Sequence, residues 1–456
     1  VSDVHSSYLF QSAVSRFCGE HYHVPIPLII GYDKANMSRN GDLALAPLIF
    51  TFGFFKSRWR HKSSFWRIFG YMPNISVGID KHNTADEKAV EHHLCLRAML
   101  KELEDICLSG GFKTSIRGKE VILKFVIQYI VGDAQGHDDL AAHQWNKADR
   151  SCHCLPDQLS LFDSGSCRPR TMKDTLLTLG DSTALHSIDQ RYRVPNAFYR
   201  LPFADRILGV AGACTWETMH AIDLGLIEYQ IESFHDILGE NNAGAAQKKI
   251  FNKYFRTISN YMNNQSERDF PIRSNRHDFL ANTLMTASEK RGNHVVFLLC
   301  FHTRDLKLLN QGWFDKYNSN HAPARGKPTI AGCANAIESL LCLEKWIMEE
   351  KPVGEVMAAE KRVGEVLGLN KQRFPRRDAT RQWDLKKMHG TFKMATSQQL
   401  RHGNGQGWDS SHTERMHQYF FTRIGRRTQC RLGSFAKQVA QRHYENIAID
   451  LGVELF

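Results

Sequence analysis

Two apolar runs of the chain each end on an aspartate, and these aspartates lie about a hundred residues apart. The first run is Pro27-Leu-Ile-Ile-Gly-Tyr-Asp33, and the second extends from Glu120 to Asp133. Short apolar runs rich in branched residues and followed by turn-forming segments are typical of buried strands. A strand that delivers a carboxylate at its C-terminal end places a charge at the edge of a sheet. The pair therefore predicts two strand ends that share one site.

The segments between the two runs predict the elements that connect them. Residues 47–55 and 65–72 predict two further strands. Apolar positions at helical spacing predict a helix over 86–108, which Thr84 begins and Gly110 ends. The second aspartate-tipped run predicts a fourth strand over 120–132.

This order of elements predicts the topology of the sheet. Three sequential strands favour an antiparallel meander, and a helical crossover then lets the fourth strand lie parallel to the first, with the right-handed sense. The arrangement is that of the RNase H-like fold, an α/β core built on a mixed sheet. Asp33 and Asp133 are then neighbours in space.

Four regions are predicted along the chain. Because the chain begins with Val rather than Met, we expect a fragment whose N-terminal region is truncated. Helical patterns dominate the long middle part. The regions are 1–25, the remnant of that N-terminal region; 26–154, the first part of the RNase H-like core; 155–400, a mainly helical insertion; and 401–456, a C-terminal helical part that completes the core.

Charge and composition narrow the classes of protein. The formal net charge of +11 favours a polyanionic partner, nucleic acid first. No uncharged apolar run reaches the length of about 18 residues that a membrane span needs, and no signal peptide opens the chain. Eleven scattered cysteines, an odd number, fit a reduced compartment better than a disulfide framework.

Two carboxylates on adjacent strand ends repel each other unless a cation lies between them. Mg²⁺ prefers one or two carboxylates with waters and phosphate oxygens, and two such ions about 4 Å apart support phosphodiester transfer. A third carboxylate usually completes such a site, and the candidates are Asp223, Glu338 and Glu414. The alternative is that Asp33 and Asp133 only cap strands or begin turns.

Glu414 lies near the start of a predicted helix and is followed by a line of arginines. A metal-binding carboxylate beside arginines that hold a DNA backbone is what a phosphate-processing site needs. The alternative is a solvated glutamate in the first turn of a helix. The arginines are Arg423, Arg426, Arg427 and Arg431.

Two other stretches interleave aromatic residues with cations, at 58–62 and 374–387. Such stretches suit a phosphate backbone combined with base stacking, and the alternative is a solvated charged face. Residues 373–387 also loosely resemble a nuclear import signal. The predicted DNA-binding residues here are Arg58, Arg60, Lys62, Arg376 and Arg377.

Short pieces of sequence, in order along most of the chain, carry a family resemblance. The chain resembles transposases of the CACTA (En/Spm) group, in particular the Plavaka-like fungal and the algal relatives. The matching pieces are Ile30-Gly-Tyr-Asp33-Lys, Trp66-Arg-Ile-Phe-Gly-Tyr-Met-Pro-Asn74, the stretch from Ile130 to Leu140, Cys152-His-Cys154, Met219-His-Ala-Ile-Asp-Leu-Gly-Leu226, Thr413-Glu-Arg-Met-His417 and the stretch from Arg427 to Phe435.

The resemblance implies a DDE-type nuclease and strand transferase that uses Mg²⁺ or Mn²⁺. Asp33 and Asp133 resemble the first two acids and Glu414 the third, with Asp223 as the alternative third acid. The reaction implied is cut-and-paste transposition, in which an activated water cuts at an element end and the freed 3′-hydroxyl attacks target DNA. Arg426 and Arg427 are expected to hold phosphate.

Partners and a second metal follow from the same resemblance. Double-stranded DNA, a homo-oligomer on that DNA and a nuclear location in a eukaryotic host are expected. Cys152, Cys154 and His220 are candidates for zinc, although Cys-x-Cys is not the usual ligand spacing; buried thiols with a hydrogen-bonded histidine are the alternative.

Two other functions remain open at this point. One is a catalytically inactive or host-adopted copy that binds DNA without cutting it. The other is a different RNase H-like nuclease, against which the long insertion argues.

Overall fold

The chain divides into two compact units. One comprises Val1–Gln158, Cys167–Glu217 and Gln398–Phe456, and the other Leu159–Ser166 and Thr218–Ser397. The four regions predicted from the sequence stay a prediction. The structure, a computed structural model, describes residues 2–17, 22–36, 43–73, 84–143, 169–174, 176, 196–239, 242–265, 287–302, 309–321, 327–376, 383, 386–410, 413, 416–431 and 434–455.

Six strands of the described chain form one mixed sheet in the first unit. Their order is β2-β3-β1-β6-β5, with β4 paired to β3. β1 is antiparallel to β3, β3 is antiparallel to β4, and β1 is parallel to β6. The strands are β1 (His23–Tyr32), β2 (Ala35–Asn36), β3 (Ala44–Phe52), β4 (Arg67–Pro73), β5 (Phe112–Ile116) and β6 (Lys119–Val131).

These pairings confirm the predicted antiparallel strands and the predicted parallel strand beside the first. Two strands were not predicted. β2 has only two residues, and β5 forms a hairpin with β6 through Arg117 and Gly118, which have φ values of 52° and 76°. Positive φ at both central residues is the requirement of a type I′ turn.

Helices make up most of the remaining described chain. Three π-helical segments occur in addition, at Met219–Leu226, Met394–Gln398 and Gln418–Thr422. The α-helices are α1 (Tyr8–Phe17), α2 (Ser57–Arg60), α3 (Ala85–Leu108), α4 (Ala134–Ala141), α5 (Gly209–Ala213), α6 (Ile227–Leu238), α7 (Asn242–Gln265), α8 (Ala287–His302), α9 (Gln311–Asn320), α10 (Ile330–Met348), α11 (Val353–Met357), α12 (Glu360–Arg373), α13 (Lys386–Lys393), α14 (Gln399–His402), α15 (Gly405–Trp408), α16 (Arg423–Gly425) and α17 (Phe435–Leu455).

The crossover helix α3 begins where the sequence predicts it. The Thr84 side chain accepts from the backbone N–H of Glu87, and the Glu87 carboxylate accepts from the backbone N–H of Thr84. This reciprocal capping satisfies two donors that the first turn leaves without intrahelical partners. The chain leaves the helix through Gly110, whose φ of 90° favours glycine.

Alternation along the strands gives the sheet two buried faces. Ile30 lies in one core cluster with Leu96 and Leu100 of α3. Val126 of β6 lies in another cluster with Leu9 of α1. Because successive side chains of a strand point to opposite faces, the central strands β1 and β6 are covered on both sides and read as nearly continuous apolar runs.

The described part of the second unit is helical, as the sequence predicts. Five phenylalanines form edge and tilted ring contacts at its centre, from Phe234 outward to residues of α7, α8 and α9: Phe251, Phe297, Phe301 and Phe314. Buried polar groups pair there as well, since Gln230 bonds both His294 and Asn370. No helix in the described part of the chain combines the length and the hydropathy needed to cross a bilayer.

Candidate active site

Asp33 and Asp133 occupy matching positions after two neighbouring parallel strands. The last paired residues of those strands are Gly31 and Val131, and each aspartate lies two positions further on. Neighbouring strands are about 4.8 Å apart. The parallel register therefore brings the two aspartates to one edge of the sheet, as the sequence predicts.

Two glycines permit the close approach of backbones at this edge. A Cβ on Gly132 would lie 2.3 Å from the Tyr32 carbonyl oxygen. A Cβ on Gly31 would lie 2.8 Å from the Thr413 Cγ2 and 2.9 Å from the Ile49 Cγ1. Real Cβ atoms do not approach that closely, so a larger residue at either position would displace β1 or its neighbours.

Both aspartates also make local hydrogen bonds. Asp133 is the N-cap of α4, and its Oδ1 accepts from the Gly136 N–H at 2.6 Å. The Oδ1 of Asp33 accepts from the Lys34 N–H at 2.7 Å. Each bond holds a carboxylate in a fixed orientation. The capping role that was the alternative to metal binding is therefore present, and it does not exclude a second role for the same side chains.

A histidine from the end of the chain reaches the same edge. His417 Nε2 lies 3.9 Å from Asp33 Oδ2, and the His417 side chain is 14 % exposed. Burial lowers the pKa of His417 to about 4, although Asp133 acts in the opposite direction. The imidazole is therefore neutral at pH 7, and its approach to Asp33 is not an ion pair.

A third carboxylate, which the sequence reasoning missed, interacts electrostatically with Asp133. Burial raises the pKa of Asp139 to about 7, repulsion from Asp133 and Asp138 adds to the rise, and Lys34 opposes it. A carboxyl with a pKa near 7 takes up and releases protons at neutral pH, which is the property of a general acid or base. Its position six residues after Asp133, on α4, was the available signal.

Tyr32 connects this edge to the crossover helix α3. Its hydroxyl lies 2.7 Å from His92 Nε2. Burial, with Asp139, Asp133 and Asp33 after it, raises the pKa of Tyr32 well above its usual value, so the hydroxyl keeps its proton and donates it. Burial lowers the pKa of His92 to about 4, so that imidazole is a neutral acceptor. We call Asp33, Asp133, Asp139, Tyr32 and His417 the acidic edge.

The predicted phosphate-binding arginines lie on the surface near this end of the sheet. Arg423, Arg426, Arg427 and Arg431 are all exposed. Ile424 packs with Leu45 in one apolar cluster. Leu45 in turn pairs with Ala35, two residues after Asp33. The arginine-rich turn is therefore anchored through Ile424 to β3, and β3 pairs with the short strand β2 that begins two residues after Asp33.

The basic stretch at 58–62 lies in the connector between β3 and β4 and has two kinds of cation. Arg58 and Lys62 are exposed and contact the Trp59 ring. Arg60 is 2 % exposed, and its guanidinium pairs with Asp3 at 2.7 Å. Burial and pairing give Arg60 a structural role, and the DNA contact predicted for it stays a prediction.

Several predicted residues belong to the second unit. Asp223 is buried and His220 is half-buried, both on the π-helix Met219–Leu226. Arg376 lies over the Tyr229 ring, 4.2 Å from its centroid. Glu338 is exposed and lies 4.0 Å from His302 Nε2. Their predicted roles stay predictions.

Four predicted residues lie outside the described residues, so their placement is not compared with the sequence. The zinc prediction and the third-acid prediction depend on three of them. Among the residues that the structure describes, no group of three His, Cys, Asp or Glu side chains is placed to hold a metal ion. The four are Cys152, Cys154, Arg377 and Glu414.

The donor set of the acidic edge fits Mg²⁺ in chemical kind. Asp33 and Asp133 supply carboxylate oxygens, and a hard cation that keeps several waters needs only one or two such groups from the protein. Burial raises the pKa of Asp139 to about 7, and repulsion from the negative charges of Asp133 and Asp138 adds to the rise. A cation would relieve that repulsion.

A family model matches part of the chain. Residues 3–220 match the family model described as Plavaka transposase, a stretch that contains Asp33, Asp133 and Asp139 and ends before Glu414. No curated protein matches the chain significantly. The match covers slightly less than half of the chain, and over that part the chain is similar to the transposase family.

Proposed function

We propose that this protein is a DDE-type DNA transposase that cuts phosphodiesters at transposon ends and joins them to target DNA. The observation that carries the proposal is the register of β1 and β6, which brings Asp33 and Asp133 to one edge within the stretch that matches the transposase family. A CACTA-like element, a nuclear location and a homo-oligomer on DNA are parts of the same proposal.

The pairing of the strands supports an RNase H-like core for this enzyme. In that fold three antiparallel strands are followed by a helix and by a strand parallel to the first. Here β1, β3 and β4 are antiparallel neighbours, α3 follows, and β6 is parallel to β1. The carboxylates then lie at the C-terminal ends of the two central strands, where open sheets commonly bind ligands.

Asp33, Asp133 and Glu414 would hold Mg²⁺ or Mn²⁺. The ion, when bound, would neutralise charge on the phosphate and lower the pKa of the attacking water. Two described neighbours support Glu414 as the third ligand: Thr413 contacts the position of Gly31, and His417 lies near Asp33. Asp223 is the alternative third acid.

The remaining side chains of the acidic edge would orient the reactants. The Asp133 carboxylate is held by the Gly136 N–H, so its direction is set before DNA arrives. Neutral His417 offers a nitrogen that can accept a hydrogen bond from a water near Asp33 without adding a charge. Asp139, with a pKa of about 7, can take up the proton that an attacking water or 3′-hydroxyl releases.

Arginines would hold the DNA backbone beside that edge. Arg426 and Arg427 are exposed and lie two and three positions after Ile424, which packs against Leu45. Guanidinium groups bind phosphate oxygens in bidentate geometry. Substituting both arginines is expected to lower the affinity for DNA. It is also expected to make that affinity less sensitive to salt concentration, because fewer phosphates are neutralised.

A second function, a DNA-binding protein without nuclease activity, has one observation in its favour. The Oδ1 atoms of Asp33 and Asp133 already accept local hydrogen bonds from backbone N–H groups. Such a copy would keep the salt-sensitive DNA binding of the arginines and lack cleavage.

Nicking of supercoiled plasmid in Mn²⁺ separates the two functions. Asp133→Asn keeps a good N-cap for α4 and removes the charge, so folding is expected to change little. We expect the variant to nick plasmid at least about a hundredfold more slowly than the wild type. Stabilisation of charge by the metal ion at such sites supplies several kcal/mol of the rate enhancement.

The matched control is Asp105→Asn, an exposed carboxylate on α3. It is expected to nick at the wild-type rate. Wild-type protein that binds the plasmid and never nicks it would contradict the transposase proposal and favour the inactive DNA-binding protein.

A further inference from the structure

The connector between β3 and β4, residues 53–66, exposes aromatic rings that the apolar core does not need. Phe54 is 54 % exposed and Trp59 is 37 % exposed. Large exposed rings that lie together, rather than singly, mark interaction surfaces. The proposed cleavage chemistry does not use this surface.

The two exposed rings belong to one continuous row. Phe54 contacts Phe55 with ring centroids 4.6 Å apart, and Phe55 contacts Phe65 at 4.9 Å. Phe65 contacts Trp59 at 5.6 Å. The half-buried rings thus support the exposed ones from beneath, in the spacing that favours aromatic pairs.

Buried contacts hold the connector in place. Arg60 pairs with Asp3, and it donates to the Gly53 carbonyl oxygen at 3.4 Å. The Trp66 indole N–H donates to the Arg60 carbonyl oxygen at 2.6 Å, and the Ser57 N–H donates to Asp3. Because Arg60 is fixed inside, Trp59 beside it is presented outward without a loss of order on binding.

The charge of the connector selects the kind of partner. Exposed cations flank the rings at Lys56, Arg58 and Lys62. Lys62 Nζ lies 4.5 Å from the centroid of the Trp59 ring. No Asp or Glu occurs in the sequence between Asp42 and Asp80. This stretch of sequence therefore combines exposed aromatic rings with cations and contains no acids. Such a surface suits a polyanion that also carries flat apolar groups able to stack on the rings.

We propose that Phe54 and Trp59, with Lys56, Arg58 and Lys62, form an aromatic platform on which unpaired bases of single-stranded DNA stack. Duplex DNA hides its base faces and would meet only the cations. The inference rests on the proposed function in taking DNA as the polyanion, and it names unpaired strand as the form that this surface binds.

The platform is separate from the acidic edge. Leu28 of β1 pairs with Phe52, so the connector leaves the sheet five residues before Asp33 along β1. At about 3.3 Å per residue the separation is about 16 Å along the strand. That distance corresponds to about five stacked nucleotides at roughly 3.4 Å each. A strand could therefore contact the platform a few nucleotides away from a phosphate at the acidic edge.

Binding of a labelled oligonucleotide of about 12 nucleotides, measured by fluorescence anisotropy in EDTA, tests the inference, since site sizes of about 4–16 nucleotides are usual. We expect Trp59→Ala in the 456-residue chain to weaken single-strand binding by about tenfold or more, and Phe54→Ala by a similar factor. Duplex of the same sequence is expected to change by less than about threefold, because cations remain. Trp59→Phe is expected to retain most of the single-strand affinity.

Phe112→Ala is the matched control, an exposed phenylalanine at the opposite edge of the sheet, on β5. It is expected to leave both affinities unchanged. Equal weakening on single strand and duplex, or unchanged single-strand binding in Trp59→Ala, would overturn the inference; the latter would leave an acidic protein as the partner of this surface. The binding assay contains EDTA and therefore does not depend on metal-dependent nicking. Its result stays valid even if the protein proves to have no nuclease activity.

Discussion

The acidic edge and the aromatic platform belong to the same compact unit and are built in opposite ways. The acidic edge collects residues from distant parts of the chain, Asp33, Asp133 and His417 among them, and it holds several acids near one another. The platform comes from one short connector, is basic and is exposed. The acidic edge depends on the parallel register of β1 and β6, and the platform depends on one anchor, the buried ion pair of Arg60 with Asp3.

That anchor gives the largest expected effect on folding. Arg60→Ala removes one partner of a buried ion pair and leaves the Asp3 carboxylate without its guanidinium. We expect a loss of about 3 to 5 kcal/mol in the free energy of unfolding of the first unit, because a buried charge becomes uncompensated. Hydrogen exchange of the β1 and β3 amides in rising urea would measure it for this unit alone.

Arg58→Ala, two residues away, is the control for that experiment. Its side chain is exposed, so the change in stability is expected to stay within about 0.5 kcal/mol. Equal effects of the two substitutions would mean that the platform has no buried anchor, and the contrast between the two regions would then be lost.

The acidic edge is expected to make stability depend on pH. The folded-state pKa of Asp139, about 7, lies above the value near 4 of an unfolded aspartate. The folded chain therefore holds a proton that the unfolded chain releases, and this stabilisation is complete below about pH 4 and is lost as pH rises through 7. The Asp139→Asn variant should lose this dependence of the free energy of unfolding on pH. At pH 8 its free energy of unfolding should exceed that of the wild type by up to about 4 kcal/mol.

Urea unfolding between pH 4 and 8 in EDTA checks this expectation, since EDTA removes bound cations that would lower the same pKa. The exposed Asp105→Asn variant should retain the wild-type slope. A slope unchanged by Asp139→Asn would show that the acids of this edge do not interact strongly.

Close backbone approach at the acidic edge gives a smaller effect. Gly132→Ala places a Cβ 2.3 Å from the Tyr32 carbonyl oxygen, so β1 or β6 must shift. We expect a loss of about 1 to 3 kcal/mol, the usual cost of overpacking, with nicking reduced further because the aspartates move apart. Thermal unfolding and plasmid nicking would be compared.

Gly364→Ala in α12 is the matched substitution, since a Cβ there meets nothing within 4 Å. It is expected to leave stability unchanged or to raise it by up to about 1 kcal/mol, because alanine is the better helix former. A Gly132→Ala protein as stable and active as this control would contradict the close packing of the two strand ends.

The two regions also differ in how far the sequence predicts them. Apolar runs that end in Asp33 and Asp133, with a capped helix between, predict the parallel strands and the shared edge, because burial pattern and handedness leave few alternatives. The strand β5 was missed because its side chains are mostly exposed and its Thr114 and Ser115 are polar. A strand that buries few side chains shows little alternation of apolar and polar residues in its sequence.

Other features depend on partners that no local pattern contains. The sequence presents Arg60 as one of several cations in a basic turn, and its burial depends on Asp3, 57 positions away. The raised pKa of Asp139 likewise depends on Asp133 and on burial. Such pairings are decided by tertiary contacts, so composition and spacing identify the residue types without assigning their roles.

The contact between Gly31 and Thr413 has a consequence for how the protein is made. Asp133 and Thr413 are 280 positions apart, the difference of their residue numbers. A ribosome that adds roughly 5 to 20 residues per second needs about 14 to 56 s to cover that distance. During this interval the strand ends exist without the segment around Thr413 and His417. A nascent chain would therefore carry no complete acidic edge until the segment around Thr413 and His417 has been made.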